Sequence, residues 1–205
     1  MALFGRKNNA QVTTATGEVN PALAALTGEY TTDPTHTSLS FTVRHAMVTN
    51  VRGTFGEVEG FLQLDGSNPS ASSASFDVSM TSIDTGVADR DGHLRSADFF
   101  DVEQFPKMTF RSTAIEPVDD ETYRVTGDLT IKDVTKPFTV DLEFTGSATD
   151  PFGNQRVGFE GSTTILRADW GLTWNAALET GGVLVSDKVK LNFDVSAIKK
   201  APEAA

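Results

Sequence analysis

Strict alternation of apolar and polar residues is the feature that most constrains how this chain folds. Eight segments between Tyr30 and Val195 place apolar residues at every second position, the period of a β-strand with one buried face. In one of them, Leu39, Phe41 and Val43 alternate with polar residues. Many of the segments have about ten residues, which corresponds to a length of roughly 33 Å. Since most are joined by short turns, we expect sequential neighbours to pair antiparallel.

An apolar face and a polar face on every strand fit either a β-sandwich or a closed β-barrel. The length and the number of the strands favour the barrel, and closure also removes exposed edges. The sequence therefore predicts an all-β fold, an eight-stranded antiparallel β-barrel. A barrel of this size is either filled by its own side chains or holds one small ligand. Its inward positions are rich in Phe and carry no carboxylate in mid-strand, so the pattern implies an apolar, elongated cavity.

Glycines mark places where these strands bend or make room. Between Phe55 and Val58 the apolar phase shifts by one residue, which predicts a bulge or a bend near Gly56. Further glycines leave room for neighbouring side chains or permit curvature, namely Gly53, Gly60, Gly127, Gly146 and Gly161.

The longest stretch of the body without alternation runs from Asp84 to Pro106, and it has the densest mixture of charged and aromatic residues. Within it, Ala88 to Leu94 and Ser96 to Phe99 are each compatible with a turn or two of helix. Long non-strand connections in compact β domains are usually lids, binding loops or plugs. We therefore predict a helical cap segment, at about 84–106, over one end of the barrel.

The N-terminal part of the chain differs from the body in composition. Residues 1–18 contain few large apolar groups, too few to offset the entropy cost of ordering. Asn20 and Pro21 fit an N-cap and a first helical residue, so a short N-terminal helix is expected before Gly28. The predicted organisation is a flexible arm at 1–28, a barrel domain at 29–199 and a disordered tail at 200–205.

Charge and composition exclude several classes of partner. The formal net charge is −11, with acidic residues spread along the chain, so nucleic acid is not an expected partner. The absence of cysteine excludes a disulfide framework and thiolate metal sites. The apolar runs are far shorter than the roughly 18–20 residues of a spanning helix, so no stable membrane insertion is expected. Because no apolar run follows Arg6 and Lys7, we expect no cleaved signal and a cytoplasmic location.

An enzymatic interpretation depends on three histidines. His36, His45 and His93, together with Asp89 or Asp91, are the residues from which a catalytic zinc site would be built. They lie in separate segments, and the chain has no HxH or HExxH spacing and no GxSxG elbow for a serine nucleophile. We therefore expect no enzyme activity, no metal and no cofactor. A histidine-based, metal-dependent hydrolase is the least favoured alternative.

Several polar groups lie at the ends of predicted apolar faces or in the cap. His45 ends one such face, where it either contacts a ligand head group or is a satisfied structural histidine. Arg90, Asp91 and His93 form either an ion-pair network that anchors the cap or a recognition site for a polar head. The structural interpretation is favoured in both cases.

Two further sets of residues concern how the cap fits the barrel. Arg167 ends a strand in the inner phase and is expected to pair with a cap carboxylate, for instance Asp91 or Asp98. Four aromatic residues either close the ends of the interior or pack the cap onto the barrel: Phe99, Phe100, Phe105 and Trp170.

Motifs along most of the chain resemble those of a known family. They are DPTHTSLSFTVRH, GTFGEVEG, RDGHLRSADFFDVEQFP, VTGDLTIKDVTKP, RVGFEGSTTILRADWG and VSDKVKLNFDV. Together they resemble the YceI-like family, lipocalin-like proteins described as polyisoprenoid-binding, and the long central motif is specific. The resemblance covers about Tyr30 to Val195. Two features depart from it. Many relatives carry a secretory signal, which this chain is expected to lack, and the N-terminal arm lies outside the pattern.

The resemblance implies a lipocalin-like, extended barrel whose tunnel holds a long isoprenoid chain or a similar amphiphile, such as a quinone or a fatty-acid derivative. The implied function is non-enzymatic binding, transport or storage of that lipid, with its polar end at a mouth near the cap, in a protein that forms a homodimer as relatives often do. The phenylalanines alone would equally suit a filled barrel without a ligand. The candidate ligand-binding residues are Phe41, Val43, His45, Phe55, Phe76, Val78, Met80, Arg90, His93, Phe100, Phe110, Leu129, Ile131, Phe138, Val140, Phe159, Ile165 and Trp170.

Overall fold

The computed structural model describes residues 21–179 and 181–201. Within these ranges there are two α-helices and eleven β-strands. In chain order they are α1 Pro21–Ala24, β1 Gly28–Thr32, β2 Ser38–His45, β3 Thr49–Phe55, β4 Val58–Leu64, β5 Ser73–Ser79, β6 Ile83–Asp84, α2 Ala88–Arg95, β7 Lys107–Pro117, β8 Thr122–Ile131, β9 Val134–Thr149, β10 Gln155–Leu166 and β11 Val185–Lys199. Short 3₁₀ turns lie at Pro69–Ala71, Met80–Ser82 and Arg167–Trp170.

The sheet closes on itself as a barrel. Its ring has the order β1, β4, β5, β7, β8, β9, β10, β11, and all neighbours in it are antiparallel. The ring closes between β1 and β11, where Tyr30 lies opposite Lys199. The N-terminal half of β11 pairs with β2 instead of β1. β2 in turn pairs with β3, and β3 pairs with β6. The predicted eight-stranded antiparallel barrel is confirmed.

Interruptions raise the number of strands above the eight segments of the alternation pattern. β1 and β2 follow one another along β11, with Thr32 opposite Ala197 and Ser38 opposite Asp194. The predicted break near Gly56 is present, since β3 ends and β4 begins on either side of it. There the Gly56 amide donates a hydrogen bond to the Ser82 carbonyl oxygen (3.2 Å), which ties the bend to the turn before β6.

The helices agree with the sequence in part. α1 is a single turn that begins at Pro21, as predicted, whereas the proposed N-cap lies outside the described residues. α2 coincides with the first helical stretch of the cap. The second stretch, 96–99, is a turn rather than a helix, because Ser96 Oγ bonds the His93 carbonyl (2.8 Å) and also accepts the Asp98 amide (3.3 Å). Such local bonds by serine compete with helical ones.

The predicted arm and tail fall mainly outside the described residues. Residues 1–20 and 202–205 are not described. At the C-terminal boundary, the Lys200 amide donates to the Glu29 carbonyl oxygen at 2.7 Å, so the sheet fixes at least the first residue of the predicted tail.

The core has a large part towards the cap and a smaller part around Tyr30 and Val157 at the opposite end. Inward glycines make room for aromatic rings in the larger part. A Cβ on Gly60 would lie 2.6 Å from Phe76, and one on Gly127 would lie 2.6 Å from Phe110. The strands therefore pack rings over glycines instead of filling every inward position. Within the described residues, no helix has the length and apolar composition needed to cross a bilayer.

Candidate ligand-binding cavity

An apolar cavity of about 150 Å³ lies inside the barrel. At about 30 Å³ for each water of the liquid, this is space for about five waters, more than an ordinary packing defect. The barrel interior is therefore open along part of its length. Residues lining it are Leu23, Leu26, Thr37, Ser38, Leu39, Val58, Leu62, Leu64, Asp65, Gly66, Pro69, Ser72, Ser73, Ala74, Phe76, Val78, Met108, Thr109, Phe110, Ile115, Tyr123, Val125, Leu129, Phe138, Val140, Leu142, Phe144, Phe159, Leu191, Phe193 and Val195.

Most polar side chains of the lining lie at the end opposite the cap, whereas the polar end of the ligand was predicted near the cap. The lining extends to the loop 65–72 between β4 and β5, and α1 lies against that loop. A Cβ on Gly66 would overlap the Leu23 carbonyl group, so only glycine allows this approach. The Gly66 amide also donates to Thr27 Oγ1 at 3.0 Å. We call this end of the barrel the mouth end and the other the cap end.

The α1 segment partly covers the mouth end. Leu23 and Leu26 both line the cavity, and Leu26 is buried. The Tyr30 hydroxyl donates to the Leu26 carbonyl oxygen at 2.8 Å, and Lys199 Nζ donates to the Ala25 carbonyl oxygen at 3.3 Å. A few backbone contacts thus hold two leucines across the opening.

The polar groups of the lining are mostly neutral. Within the described residues the lining contains no Lys, Arg or His, and its one charged residue is Asp65. Asp65 Oδ1 accepts the amides of Ser67 and Asn68, both at 2.9 Å, so it stabilises the loop. Tyr123 contributes a phenol whose pKa is raised by burial and by the nearby Asp119 and Asp120 carboxylates, which keeps it a neutral donor. The other polar side chains of the lining are neutral hydroxyls of Thr, Ser and Tyr, and they contribute little to the surface of the cavity.

The cap end is sealed by aromatic packing. Trp170 is 4% exposed, and its Nε1 donates to the Leu129 carbonyl oxygen at 3.1 Å. Phe99 is also buried and contacts Trp174 with 5.2 Å between ring centroids. Trp170 packs in the core of the barrel, Phe99 packs against His93 and Trp174, and both lie outside the cavity lining. Phe100 packs against the same core.

The side chains of Arg90, Asp91 and His93 bond within the cap. Thr85 joins two of them, since Arg90 Nε donates to Thr85 Oγ1 (2.7 Å) and Asp91 Oδ1 accepts the Thr85 amide (2.9 Å). His93 Nε2 lies 2.9 Å from Asp98 Oδ2. These contacts anchor the loop, in line with the structural interpretation of the group.

The expected pairing of Arg167 with a cap carboxylate is wrong. Its guanidinium donates to four backbone carbonyl oxygens, those of Leu172, Trp174, Val185 and Ser186. Only 6% of Arg167 is exposed, and burial lowers its pKa. Carbonyl oxygens from the loop after the 3₁₀ turn and from the start of β11 thus take the place of the expected carboxylate.

Seven of the candidate ligand-binding residues line the cavity: Phe76, Val78, Phe110, Leu129, Phe138, Val140 and Phe159. Eleven lie outside its lining, in the core or in the cap, and a ligand contact by them stays a prediction: Phe41, Val43, His45, Phe55, Met80, Arg90, His93, Phe100, Ile131, Ile165 and Trp170. The three histidines do not come together as a metal site in the described part of the chain. His36 bonds Asp33 at 2.8 Å, and among the described residues no cluster of three or more His, Asp or Glu side chains has the geometry to hold a metal ion.

Sequence reasoning missed two kinds of lining residue. Leu39, Leu142 and Phe193 belong to the inner phase of their strands, so the alternation pattern contained the signal for them. Leu23 and Leu26 had no such signal, since nothing in a short helical pattern indicates where it packs.

Comparison with known proteins gives concordant results. A family model described as the YceI-like domain matches residues 30–197. A UPF0312 protein of Staphylococcus epidermidis is 43% identical over 168 residues, covering 80% of this chain and 93% of that protein. The crystal structure of the Campylobacter jejuni YceI protein is similar with a TM-score of 0.66 and 30% identity, over 77% of this chain and 90% of that one. A polyisoprenoid binding domain from Saccharophagus degradans has a TM-score of 0.66, over 83% of this chain and 98% of that one, and at 18% identity it shows a shared fold alone.

Proposed function

This chain belongs to the YceI-like family, and from that membership and the apolar cavity we propose that it binds one long-chain isoprenoid or related amphiphile without acting on it chemically. The observation that carries the proposal is the cavity itself, whose surface is almost entirely apolar. The structural neighbour from Saccharophagus degradans, named as a polyisoprenoid binding domain, supports the same ligand class.

Burial of the hydrocarbon chain supplies the affinity. Each Å² of apolar surface removed from water contributes about 25 cal/mol, and each methylene roughly 0.8 kcal/mol. The inner rings and aliphatic side chains provide no hydrogen-bonding pattern that would recognise a particular chain. Chain length therefore sets affinity until the tunnel is filled, and the head group sets orientation.

The lining favours a neutral head group. A phosphate or carboxylate would meet no cation among the described lining residues, and Asp65 would repel it. Burying an unpaired charge is far costlier than burying a hydrogen-bonded neutral group. A quinone or an alcohol, bonded by the hydroxyls at the mouth end, is thus favoured over a polyprenyl phosphate or a free fatty acid.

Filling the cavity tests the proposal. Val125 and Val140 lie opposite each other on β8 and β9, and both line the cavity. Replacing both with Phe should reduce bound lipid from about one per chain to nearly none, because the rings occupy the tunnel. The matched control is Val51→Phe with Val189→Phe, two valines that both lie opposite Val43 on neighbouring strands and outside the lining.

Native mass spectrometry and organic extraction of protein purified from its own host provide the readout, together with uptake of an added polyprenol or the corresponding polyprenyl phosphate. Equal lipid in the filled variant and the control would contradict the cavity assignment, and preferred uptake of the phosphate would contradict the neutral head group. An empty protein that takes up neither lipid would favour a scaffold without a ligand. Cell fractionation and mass photometry check the further predictions of a cytoplasmic carrier and a homodimer.

A further inference from the structure

The outer wall of the barrel near the cap end carries four exposed cations on three adjacent strands. Lys190 on β11 is opposite Thr42 on β2, and Thr42 is opposite Arg52 on β3. Lys188 lies two residues along β11, and Arg44 two residues along β2, both towards the hairpin that joins β2 and β3. In the described parts of the chain, none of the four takes part in an ion pair, although the formal net charge of the protein is −11. Their charge is therefore available to a partner.

Exposed apolar side chains lie at the tip beside these cations. Met47 is 62% exposed and Val48 74% exposed, on the turn between β2 and β3. Val183 is 41% exposed on the neighbouring loop, which the Ala46 amide joins through a hydrogen bond to the Leu184 carbonyl oxygen at 2.7 Å. We call the four cations and these three residues the basic hairpin patch.

The turn holds this apolar tip in an unfavourable backbone conformation. Ala46 and Met47 have φ of 48° and 64°, in the left-handed region where Gly and Asn are the usual residues. Because 62% of Met47 is exposed, packing in the free protein offsets little of that cost. Strained, exposed residues of this kind point to a role in binding.

Acidic residues are few around the patch. The segment 34–56 contains no Asp or Glu. Asp187 flanks Lys188 and accepts the Ala168 amide at 3.0 Å, and Asp84, beside Thr54, accepts the Gly86 amide at 2.7 Å. Glu179 lies on the neighbouring loop. The central surface of β2 and β3 is thus cationic.

We propose that the basic hairpin patch docks the protein on an anionic lipid surface, with Met47 and Val48 in the head-group layer and the four cations facing lipid phosphates. A second copy of the chain would bring like charges together. The aliphatic tip of a hairpin is convex and lacks the aromatic anchors of protein interfaces, whereas cations beside apolar groups suit an anionic bilayer. The cavity mouth is at the other end of the barrel, so docking is separable from ligand retention.

Vesicle co-sedimentation of the full chain tests the docking. Phosphatidylcholine vesicles with and without phosphatidylglycerol are compared at low and high salt. Wild type should bind the anionic vesicles and release them as salt rises. Replacing both Arg44 and Arg52 with glutamine should weaken binding to the anionic vesicles on the order of thirtyfold, about fivefold for each cation near the surface. The control is Arg111→Gln with Arg124→Gln, which removes the same amount of charge from another part of the outer wall and should bind as wild type.

Met47→Asn separates binding from folding. Asn tolerates the left-handed conformation, so this variant should unfold at the same or a higher temperature and yet bind anionic vesicles several-fold more weakly. Equal binding by the patch and control variants, or equal binding to neutral vesicles, would overturn the proposal. If the wild-type protein does not bind anionic vesicles but is retained on immobilised polyglutamate, the membrane proposal is overturned in favour of an acidic protein partner. Native mass spectrometry of the same variants reports ligand retention independently and should show no change.

Discussion

The two ends of the barrel are closed by different kinds of contact. At the cap end, Trp170 and Arg167 are buried and donate hydrogen bonds to carbonyl oxygens of distant segments. At the mouth end, α1 has four residues, and Leu23 and Leu26 lie across the cavity, while the buried polar group of that end, Asp33, bonds Thr35, His36 and Arg156 rather than the α1 segment. The cap end is thus part of the hydrophobic core, whereas at the mouth end a short segment packs over the cavity.

Because of this difference, we expect the two ends to affect two different properties, the stability of the fold and the access of a ligand to the cavity. Buried hydrogen bonds to carbonyl groups are costly to break, because each group left without a partner loses its solvation as well. The α1 segment is cheaper to displace, since it is held by two leucines and by hydrogen bonds of which only the one from Tyr30 is buried. We therefore expect changes at the cap end to alter the free energy of unfolding and changes at the mouth end to alter the rate of ligand exchange.

Arg167→Leu should produce the largest effect. It leaves carbonyl groups of the loop after the 3₁₀ turn unsatisfied, so the free energy of unfolding should fall by on the order of 3 kcal/mol. Urea unfolding followed by tryptophan fluorescence measures it. The control is Arg124→Leu, which removes an exposed arginine paired with Asp141 and should change stability little. A similar loss in both variants would contradict the special role of the cap-end network.

Gly66→Ala should act at the mouth end. The added Cβ overlaps the Leu23 carbonyl group and so displaces α1 from the opening. Losing the contacts of two leucines with the ligand should raise its dissociation rate by on the order of tenfold, which corresponds to about 1.4 kcal/mol. Transfer of a fluorescent polyprenol to acceptor vesicles measures this rate.

A second glycine provides the control for that experiment. Gly92 lies in α2, where a Cβ would have no atom within 4 Å, so Gly92→Ala should leave ligand exchange unchanged and favour the helix slightly. If the Gly92 variant releases ligand as fast as the Gly66 variant, the mouth is not at the α1 end.

The barrel was predictable because its signal is local. Each strand buries one face, so a period of two residues is visible in the sequence, and the reversal of phase between Phe55 and Val58 located the bend at Gly56. The turn after β2 had no such signal, because Ala46 and Met47 adopt left-handed conformations that usually require Gly or Asn. Tertiary contacts there outweigh local preference.

The site was predictable only as an apolar interior. Alternation selects inward residues such as Phe76 and Phe138, but it does not distinguish the part of the barrel that stays open from the part that is packed. That depends on contacts between distant segments, such as Leu23 on Gly66 and Trp170 on the Leu129 carbonyl oxygen. The position of the mouth near the cap stays a prediction for this reason, whereas the partners of Arg167 were wrongly taken to be carboxylates.

Acid should loosen the mouth end with the smallest effect of the three. Asp33 follows β1, and Arg156 near the start of β10 donates to both Asp33 and Asp150. Hydrogen bonds from Thr35, Arg156 and His36, the largest from Thr35, hold the Asp33 pKa well below its usual range. A carboxyl group with a lowered pKa in the folded state stabilises the protein fully above its unfolded pKa, about 3.9, and this stabilisation is lost as the pH falls further.

Hydrogen exchange between pH 5 and pH 2 distinguishes the two ends under acid. As the pH drops below about 4, amides of β1 and the start of β10 should lose protection before those of β7 and β8 near the cap. Asp33→Asn should make the thermal unfolding temperature less dependent on pH over the same interval, since it removes one of the groups that must be protonated. Earlier loss of protection in α2 than in β1, or an unchanged pH dependence in the variant, would show that acid acts at the cap end and that the mouth end is the better fixed of the two.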